Sequence, residues 1–217
     1  MTTHEETTPV LVGAGQISAR EPDTERTPIG LVAEAARAAA ADCGVTRVLG
    51  QIQSLTCLNI LAPSYSDAPS TLARHLGIDP GERFYTPIGG NMGQWLVGYY
   101  ADRIAAGGLD CILIAGGEAL ATQMRGKGAG LSGVLDTATG EGPRLLGDDR
   151  EPTNSAEQRH GLNLPIQIYP LFEQALRGRY GLDPAEHRRM LGEFYARFNA
   201  VAVDNPRAWR RDPLSAA

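Results

Sequence analysis

The chain has 217 residues, of which 42% are hydrophobic and 21% are charged, and its net charge is -5. This composition is typical of a soluble globular protein. The net charge is negative and the sequence contains no basic tract, so it lacks the positively charged surface that a nucleic-acid-binding protein needs. No apolar run approaches the ~20 residues that span a bilayer, and the polar residues 1–8 are unlike a secretory signal. A cytoplasmic location is therefore expected.

The three cysteines are an odd number, which argues against a disulfide framework and favours a reducing compartment. Cys57 and Cys111 fall inside predicted strands, where a free cysteine is usually a small core residue. The four histidines show no metal-ligand spacing, so no metal site is predicted. Among them, only His160 falls in a segment that could form a site, and a surface position is the alternative.

An apolar run at residues 9–13 predicts a short buried strand, which is followed by Ala14 and Gly15. Two glycines after a strand could indicate dinucleotide binding. However, the third glycine of that fingerprint is missing, and 12 loop residues (16–27) precede the next helix. The fingerprint requires the helix to begin at once, so that its N-terminus meets the pyrophosphate. Dinucleotide binding is therefore disfavoured.

Helices and strands then alternate. Thr27 or Pro28 is predicted to begin a helix that ends near Cys43, and residues 52–61 are predicted to form a strand. Asp67 and Ser70 are cap candidates for a helix through Leu76. A strand at 83–88, a long helix at 92–106 and a strand at 110–115 follow. The alternation predicts an α/β fold with a mainly parallel sheet flanked by helices.

The segment from residue 85 to residue 118 is predicted to organise the fold. Its helix is apolar nearly all round, which is typical of a helix buried on both sides. The strand after it is a continuous apolar run that ends in a diglycine, as in a covered parallel sheet. A glycine-rich turn joins the first strand to the helix, so the unpaired N–H groups of the helix N-terminus face out of this turn.

Residues 126–152 are rich in Gly, Asp and Thr and show no sustained periodicity, whereas 166–180 and 184–203 are helical in pattern. We therefore divide the chain into an α/β core at 1–125 and a loop and helical segment at 126–217.

The glycine-rich turn is the strongest candidate site, and two interpretations of it remain open. Glycines allow a ligand to approach the backbone closely, and the helix end stabilises negative charge such as an acyl thioester oxygen or a phosphate. The alternative is a tight strand-to-helix turn that glycine merely permits. The residues concerned are Gly89, Gly90, Asn91, Met92 and Gly93.

The central segment resembles the thiolase superfamily, in which a Cys-Gly-Ser-Gly turn opens a buried helix and a strand ending in Ala-Gly-Gly-Glu follows. Residues 114–118, Ile-Ala-Gly-Gly-Glu, match that strand end, and Gly93 matches the last glycine of the turn. Residues 10–14, 180–186 and 205–209 are also similar to the family. The nearest branch is the acetyl-CoA acetyltransferase-like and sterol-carrier-linked thiolases. The resemblance covers nearly the whole chain, as the N-terminal half of a longer protein.

This resemblance implies acyl-CoA binding or acyl transfer, with a coenzyme A thioester as substrate and no resident cofactor. It places the family's nucleophilic cysteine at Gly90, which has no side chain. The covalent step needs a thiolate, so no catalytic residue is predicted in this chain. Substrate binding is predicted at the five turn residues and at His160. A homo-oligomer is one expected assembly.

Two other functions remain open. One is a non-catalytic subunit or scaffold that acts with an acyl- or sterol-binding partner, and the other is an enzyme that uses the same pocket without an acyl-enzyme. The resemblance further implies that the chain stops inside a loop domain, which would leave an unpaired sheet edge. Trp95, Tyr99 and Tyr100 would then lack a packing layer on one side.

Overall fold

The computed structural model describes residues 7–21, 26–45, 47–61, 65–125 and 142–216. The chain divides into two compact units, Met1–Asp149 and Arg150–Ala217. The boundary that the sequence suggests, at 125/126, stays a prediction. Most of the irregular segment predicted at 126–152 lies outside the described residues, which resume at 142.

The first unit is an α/β structure, and this confirms the fold class predicted from the sequence. Four strands are described in this unit; they are all parallel and lie in the order β3-β1-β2-β4. The described elements of this unit are α1 (Pro28–Cys43), a short 3₁₀ helix (Val48–Gln51), β1 (Ser54–Cys57), α2 (Ala68–Leu76), β2 (Glu82–Tyr85), α3 (Met92–Ala105), β3 (Ile112–Ala115), α4 (Leu120–Arg125) and β4 (Arg144–Leu145).

Local sequence signals set the ends of α1 and α2. The hydroxyl of Thr27 accepts a hydrogen bond from Gly30 N at 3.1 Å, and the carboxylate of Asp67 accepts one from Ser70 N at 3.0 Å. Each helix then ends at a glycine in the left-handed region, Gly44 at φ +72° and Gly77 at φ +69°. Side-chain caps and left-handed glycines satisfy the backbone groups that helix ends leave unpaired, which is why these bounds were predictable.

The apolar run at residues 9–13 is not the buried strand that the sequence predicted. Its three large apolar side chains are between 55% and 88% exposed. The segment lies along α1 instead: a Cβ on Gly13 would come within 2.3 Å of Ala39 O, and one on Gly15 within 2.2 Å of Ala35 O. None of the described strands pairs with this run, so its backbone lacks the ladder of hydrogen bonds that a strand of the sheet would make there. The glycines here permit close approach to a helix.

The sheet separates two apolar clusters. Side chains alternate between the faces of a strand, so Leu55 and Cys57 of β1 pack with α1 and α2, whereas Ser54 and Thr56 face α3. On the α3 side, Leu96, Tyr100 and Leu109 are buried, and partly buried residues of β3 and of the segment after β1 pack against them. These are Leu58, Ile112 and Ile114.

The prediction that α3 is buried on both sides is wrong for its outward face. Leu96 and Tyr100 are 0% and 1% exposed, but Trp95 is 41% exposed and Val97 is 53% exposed. Trp95 stacks on Tyr99 with ring centroids 5.2 Å apart. The expected lack of a packing layer is wrong for Tyr100, which lies one turn from Leu96 and faces the sheet. For Trp95 it stays a prediction.

Polar contacts fix the C-terminal half of α3 to the sheet. The hydroxyl of Tyr100 lies 2.7 Å from Ser54 Oγ and 2.6 Å from Thr56 Oγ1, and all three residues are buried. Burial raises the pKa of Tyr100, so its hydroxyl stays protonated. Arg103 donates two hydrogen bonds to Glu82, of 2.7 and 3.0 Å, which lower the pKa of that carboxyl.

The second unit consists of α5 (Ser155–Arg159), α6 (Pro165–Tyr180) and α7 (Pro184–Asp204), in agreement with the helices predicted at 166–180 and 184–203. Capping boxes begin α5 at Asn154 and α7 at Asp183. His187 is 5% exposed, and its Nε2 lies 3.2 Å from a carboxylate oxygen of Glu173. None of the described helices in either unit is long and apolar enough to cross a membrane.

We expect Tyr100→Phe to lower the free energy of unfolding of the first unit by about 1–3 kcal/mol, because two buried hydroxyls lose a hydrogen-bond partner. Urea denaturation followed by circular dichroism measures the change. Tyr180→Phe is the control, since Tyr180 is 63% exposed. Equal stability of the two variants would show that the Tyr100 hydroxyl contributes nothing.

Candidate functional site

A cleft of about 220 Å³ opens at the carboxyl ends of the parallel strands. Leu58 and Asn59 follow β1, Thr86 to Gly90 follow β2, and Glu118 follows β3. Carboxyl ends of parallel strands meet at one edge of the sheet, which is where open α/β sheets bind ligands. The topology therefore brings together residues that are far apart in the sequence.

The N-terminus of α3 lies beside this cleft, directly after the glycine turn. Met92 N donates to Gly89 O at 3.1 Å, and Trp95 N donates to Asn91 O at 3.0 Å, which is the first bond of the helical ladder. Asn91 makes no capping hydrogen bond with its side chain. The N–H groups of Gly93 and Gln94 are thus first-turn donors without an intrahelical acceptor. Such donors, with the helix dipole, favour a partial or full negative charge.

Gly89 and Gly90 lie in different surroundings. A Cβ on Gly89 would come within 2.8 Å of Asn91 Oδ1, whereas a Cβ on Gly90 would meet nothing within 4 Å. The tight-turn interpretation therefore fits Gly89. At Gly90 a side chain has room, so the absence of one leaves space beside the helix N-terminus.

Hydrogen bonds from neighbouring strands hold the opposite wall of the cleft. Asn59 N donates to Thr86 Oγ1 at 3.0 Å, and Asn59 Nδ2 donates to Thr86 O at 3.3 Å. Leu61 N donates to the carboxylate of Glu118. Three of these lining residues were not predicted from the sequence as site residues: Asn59, Thr86 and Glu118. Asn59 and Thr86 fell inside the predicted strands at 52–61 and 83–88, which end earlier in the structure, at Cys57 and Tyr85. Glu118, shortly after the predicted strand at 110–115, did carry a signal, because the ends of parallel strands meet at this edge.

The described cysteines lie away from the cleft lining. Cys57 is buried among the residues that pack on α1 and α2, and burial raises its pKa to about 12. Burial also raises the pKa of Cys111. Cys43 is at the last position of α1. A reactive thiolate at a site needs a lowered pKa, and the thiols of Cys57 and Cys111 do not provide it.

The predicted site residues fall in both units. Gly89 and Gly90 line the cleft, and Asn91, Met92 and Gly93 follow as the cap and first turn of α3. Met92 is 4% exposed. His160 is exposed and caps the C-terminus of α5 in the second unit. Its part in substrate binding, like that of the turn, stays a prediction. Within the described residues, no group of three His, Cys, Asp or Glu side chains could hold a metal ion.

Close packing explains the diglycine after β3. A Cβ on Gly116 would come within 2.8 Å of the Leu58 Cβ, and a Cβ on Gly117 would come within 2.8 Å of Val32 Cγ2 on α1. Both neighbours belong to the apolar interior of the first unit. Glycine at these positions lets the chain leave β3 and place Glu118 at the cleft.

No protein-family model matches the sequence, and no curated protein matches it. Comparison with solved structures identifies the fold as thiolase-like, as the sequence resemblance implied. The chain is similar to the crystal structure of a monomeric SCP2-thiolase like protein type 1 from Mycobacterium smegmatis, with 30% sequence identity and a TM-score of 0.72. The alignment covers 97% of this chain and 38% of that one.

We expect Gly117→Ala to lower the free energy of unfolding by about 1–3 kcal/mol, as overpacking does. The added methyl group meets a valine, whose rotamer is restricted in a helix. Gly98→Ala is the matched control, because a Cβ at this exposed position of α3 meets nothing within 4 Å. It should instead stabilise the helix by about 1 kcal/mol. Thermal denaturation compares the two, and a stable Gly117→Ala variant would contradict the packing argument.

Proposed function

We propose that this thiolase-like chain binds a short acyl-CoA thioester without forming an acyl-enzyme. The observation that carries the proposal is the uncovered space at Gly90, beside the N-terminus of α3 and inside the cleft. The N–H groups of Gly93 and Gln94 would stabilise the partial negative charge of a thioester carbonyl oxygen. This arrangement suits a polarised carbonyl group better than a cationic ligand.

The cleft volume supports a small ligand group. At about 220 Å³, the cleft is below the ~300–1,000 Å³ of a typical site for a drug-sized ligand. A thioester with a short acyl group fits this limit, whereas the nucleotide end of coenzyme A must lie outside it.

The chemistry of the lining supports binding rather than covalent transfer. An acyl-enzyme requires a nucleophile at the thioester carbon. The resemblance to thiolases places that nucleophile at Gly90, and the buried thiols of Cys57 and Cys111 have raised pKa values. Acyl transfer, and the acetyl-CoA acetyltransferase activity that the resemblance implies, would need groups beyond those that line the described cleft.

A non-catalytic subunit or scaffold is the second candidate function. The outward face of α3 favours it, because Trp95 and Val97 are 41% and 53% exposed. Exposed apolar surface of this kind is typical of a protein interface. Co-purification with an acyl- or sterol-binding partner, together with no affinity for coenzyme A thioesters, would support this function over the first.

We expect acetyl-CoA to bind the wild-type chain and Gly90→Leu to weaken that binding tenfold or more, because the new side chain fills the cleft. A tenfold loss corresponds to about 1.4 kcal/mol of binding free energy. Isothermal titration calorimetry measures both constants. Gly98→Leu is the control, since it adds the same side chain to an exposed position of α3. No heat with the wild type, or equal affinity in the Gly90 and Gly98 variants, would remove the proposal.

We expect Gly90→Cys to create a thiol with a pKa below the ordinary value of about 8.5, because a helix N-terminus stabilises the thiolate. This thiolate should attack the acetyl-CoA carbonyl and release the coenzyme A thiolate, leaving an acetylated protein. Intact-mass spectrometry detects the product, and the wild type is the control. A thiol that titrates normally and stays unacetylated would show that the cleft does not orient the thioester. Thiolysis by the variant would show that the remaining catalytic groups are present.

A further inference from the structure

Leu58 forms the boundary between the cleft and the apolar cluster under α3. Its backbone is fixed by a hydrogen bond from Leu58 N to Ala115 O of 2.9 Å, which continues the pairing of β1 with β3. Its side chain lines the cleft and also packs against the cluster of Leu96, Tyr100 and Leu109. One face of this leucine therefore meets the ligand space, and the other meets a buried apolar interior.

The neighbours of Leu58 leave its side chain little freedom to move. A Cβ on Gly116 would come within 2.8 Å of the Leu58 Cβ and 3.4 Å of its Cγ, and a Cβ on Gly93 would lie 4.0 Å from its Cδ2. The side chain thus sits between the diglycine after β3 and the first turn of α3. Protein interiors are packed to crystal-like density, so a ligand cannot displace this leucine without disturbing both segments.

We propose that Leu58 sets the length of the aliphatic chain that the cleft accepts, so that short acyl chains enter and longer ones are excluded. This inference rests on the proposed function for the identity of the ligand, a straight-chain acyl thioester. Leu58 both lines the cleft and packs against the apolar cluster, so an alkyl chain that extended past Leu58 would meet apolar side chains. Shortening Leu58 to alanine would add the volume of its lost side-chain atoms to the cleft, next to the apolar cluster, and lengthen the accepted chain.

The test measures how the length of an alkyl chain affects the rate at which a reagent reacts in the cleft, and it does not depend on binding of coenzyme A. The thiol introduced by Gly90→Cys is treated with methyl, butyl and octyl methanethiosulfonates, and stopped-flow kinetics give the rate for each. In this reaction the thiolate attacks the reagent's sulfenyl sulfur, a disulfide forms and methanesulfinate leaves. A Cβ at position 90 meets open space, so the thiol can reach reagents in the cleft.

With Leu58 present, we expect the octyl reagent to react at least tenfold more slowly than the methyl reagent, relative to their rates with a free thiol. One methylene in a hydrophobic pocket changes discrimination by ~10–200-fold. Adding Leu58→Ala should raise the octyl rate at least tenfold and leave the methyl rate within about twofold. Leu58→Val, a milder change that keeps the fold, should produce a smaller shift in the same direction.

Leu113→Ala in the same Gly90→Cys background is the matched control. Leu113 is partly buried on the opposite face of the sheet, where it packs with the α1 and α2 cluster. This control removes the same atoms and should leave the chain-length profile unchanged. A profile that is equal in the Leu58 and Leu113 variants, or a thiol that reacts with none of the reagents, would overturn the role of Leu58.

Acyl-CoA titrations separate this inference from the proposed function. If the alkyl reagents show the Leu58-dependent profile but acyl-CoA does not bind, Leu58 bounds an alkyl-accepting cleft and the proposed ligand is wrong. If acetyl-CoA binds but Leu58→Ala leaves both the reagent profile and the octanoyl-CoA affinity unchanged, the proposed function stands and the chain-length role of Leu58 is wrong.

Discussion

The structure depends on how α3 is held against the sheet. The hydroxyl of Tyr100 contacts both Ser54 and Thr56 on β1, and Arg103 pairs with Glu82 on β2. Leu96, one turn before Tyr100, packs in the same apolar cluster. Buried polar groups tolerate few alternative arrangements, because each displaced partner costs a hydrogen bond. These contacts therefore fix the rotation of α3 about its axis and the position of its N-terminus.

The position of α3 creates the candidate site. Its first turn begins where β2 ends, and the neighbouring strands β1 and β3 end at the same edge of the sheet. The cleft thus combines backbone donors from a helix, an uncovered glycine and polar groups such as Glu118 after a different strand. This set of groups suits a polarised carbonyl oxygen with an apolar substituent. The described lining residues do not include a thiol, the group that attacks a thioester when an acyl-enzyme forms at cysteine.

Two surfaces of the first unit have few neighbours within the described residues. β3 lies at one end of the described strand order, where it pairs with β1. The outward face of α3 carries Trp95 and Val97 in contact with solvent. Strand edges and apolar faces of this kind are where proteins add further strands or partners. The chain spans 38% of the length of the SCP2-thiolase like protein whose fold it shares.

The sequence by itself determined the helices α1, α2, α3, α6 and α7, the positions of β1, β2 and β3, and the fold class, but not α4, α5 or β4. Caps such as Thr27 and Asp67 and the glycines that follow the helices are local signals, so the helix bounds were predicted within one or two residues. Alternation of helix and strand was sufficient to predict a parallel sheet. The run at residues 9–13 was mispredicted because an apolar pattern shows that a segment can be a strand, but not whether a partner strand is available.

Only the tertiary structure decided which residues form the cleft and which face of α3 is buried. Glycines 89 and 90 are alike in sequence, yet only Gly90 has open space around it. Leu58, Asn59, Thr86 and Glu118 come together because three parallel strands end at one edge, which depends on strand order. Strand order and the rotation of α3 about its axis arise from contacts between residues that are distant in the sequence. A local sequence pattern therefore does not predict them.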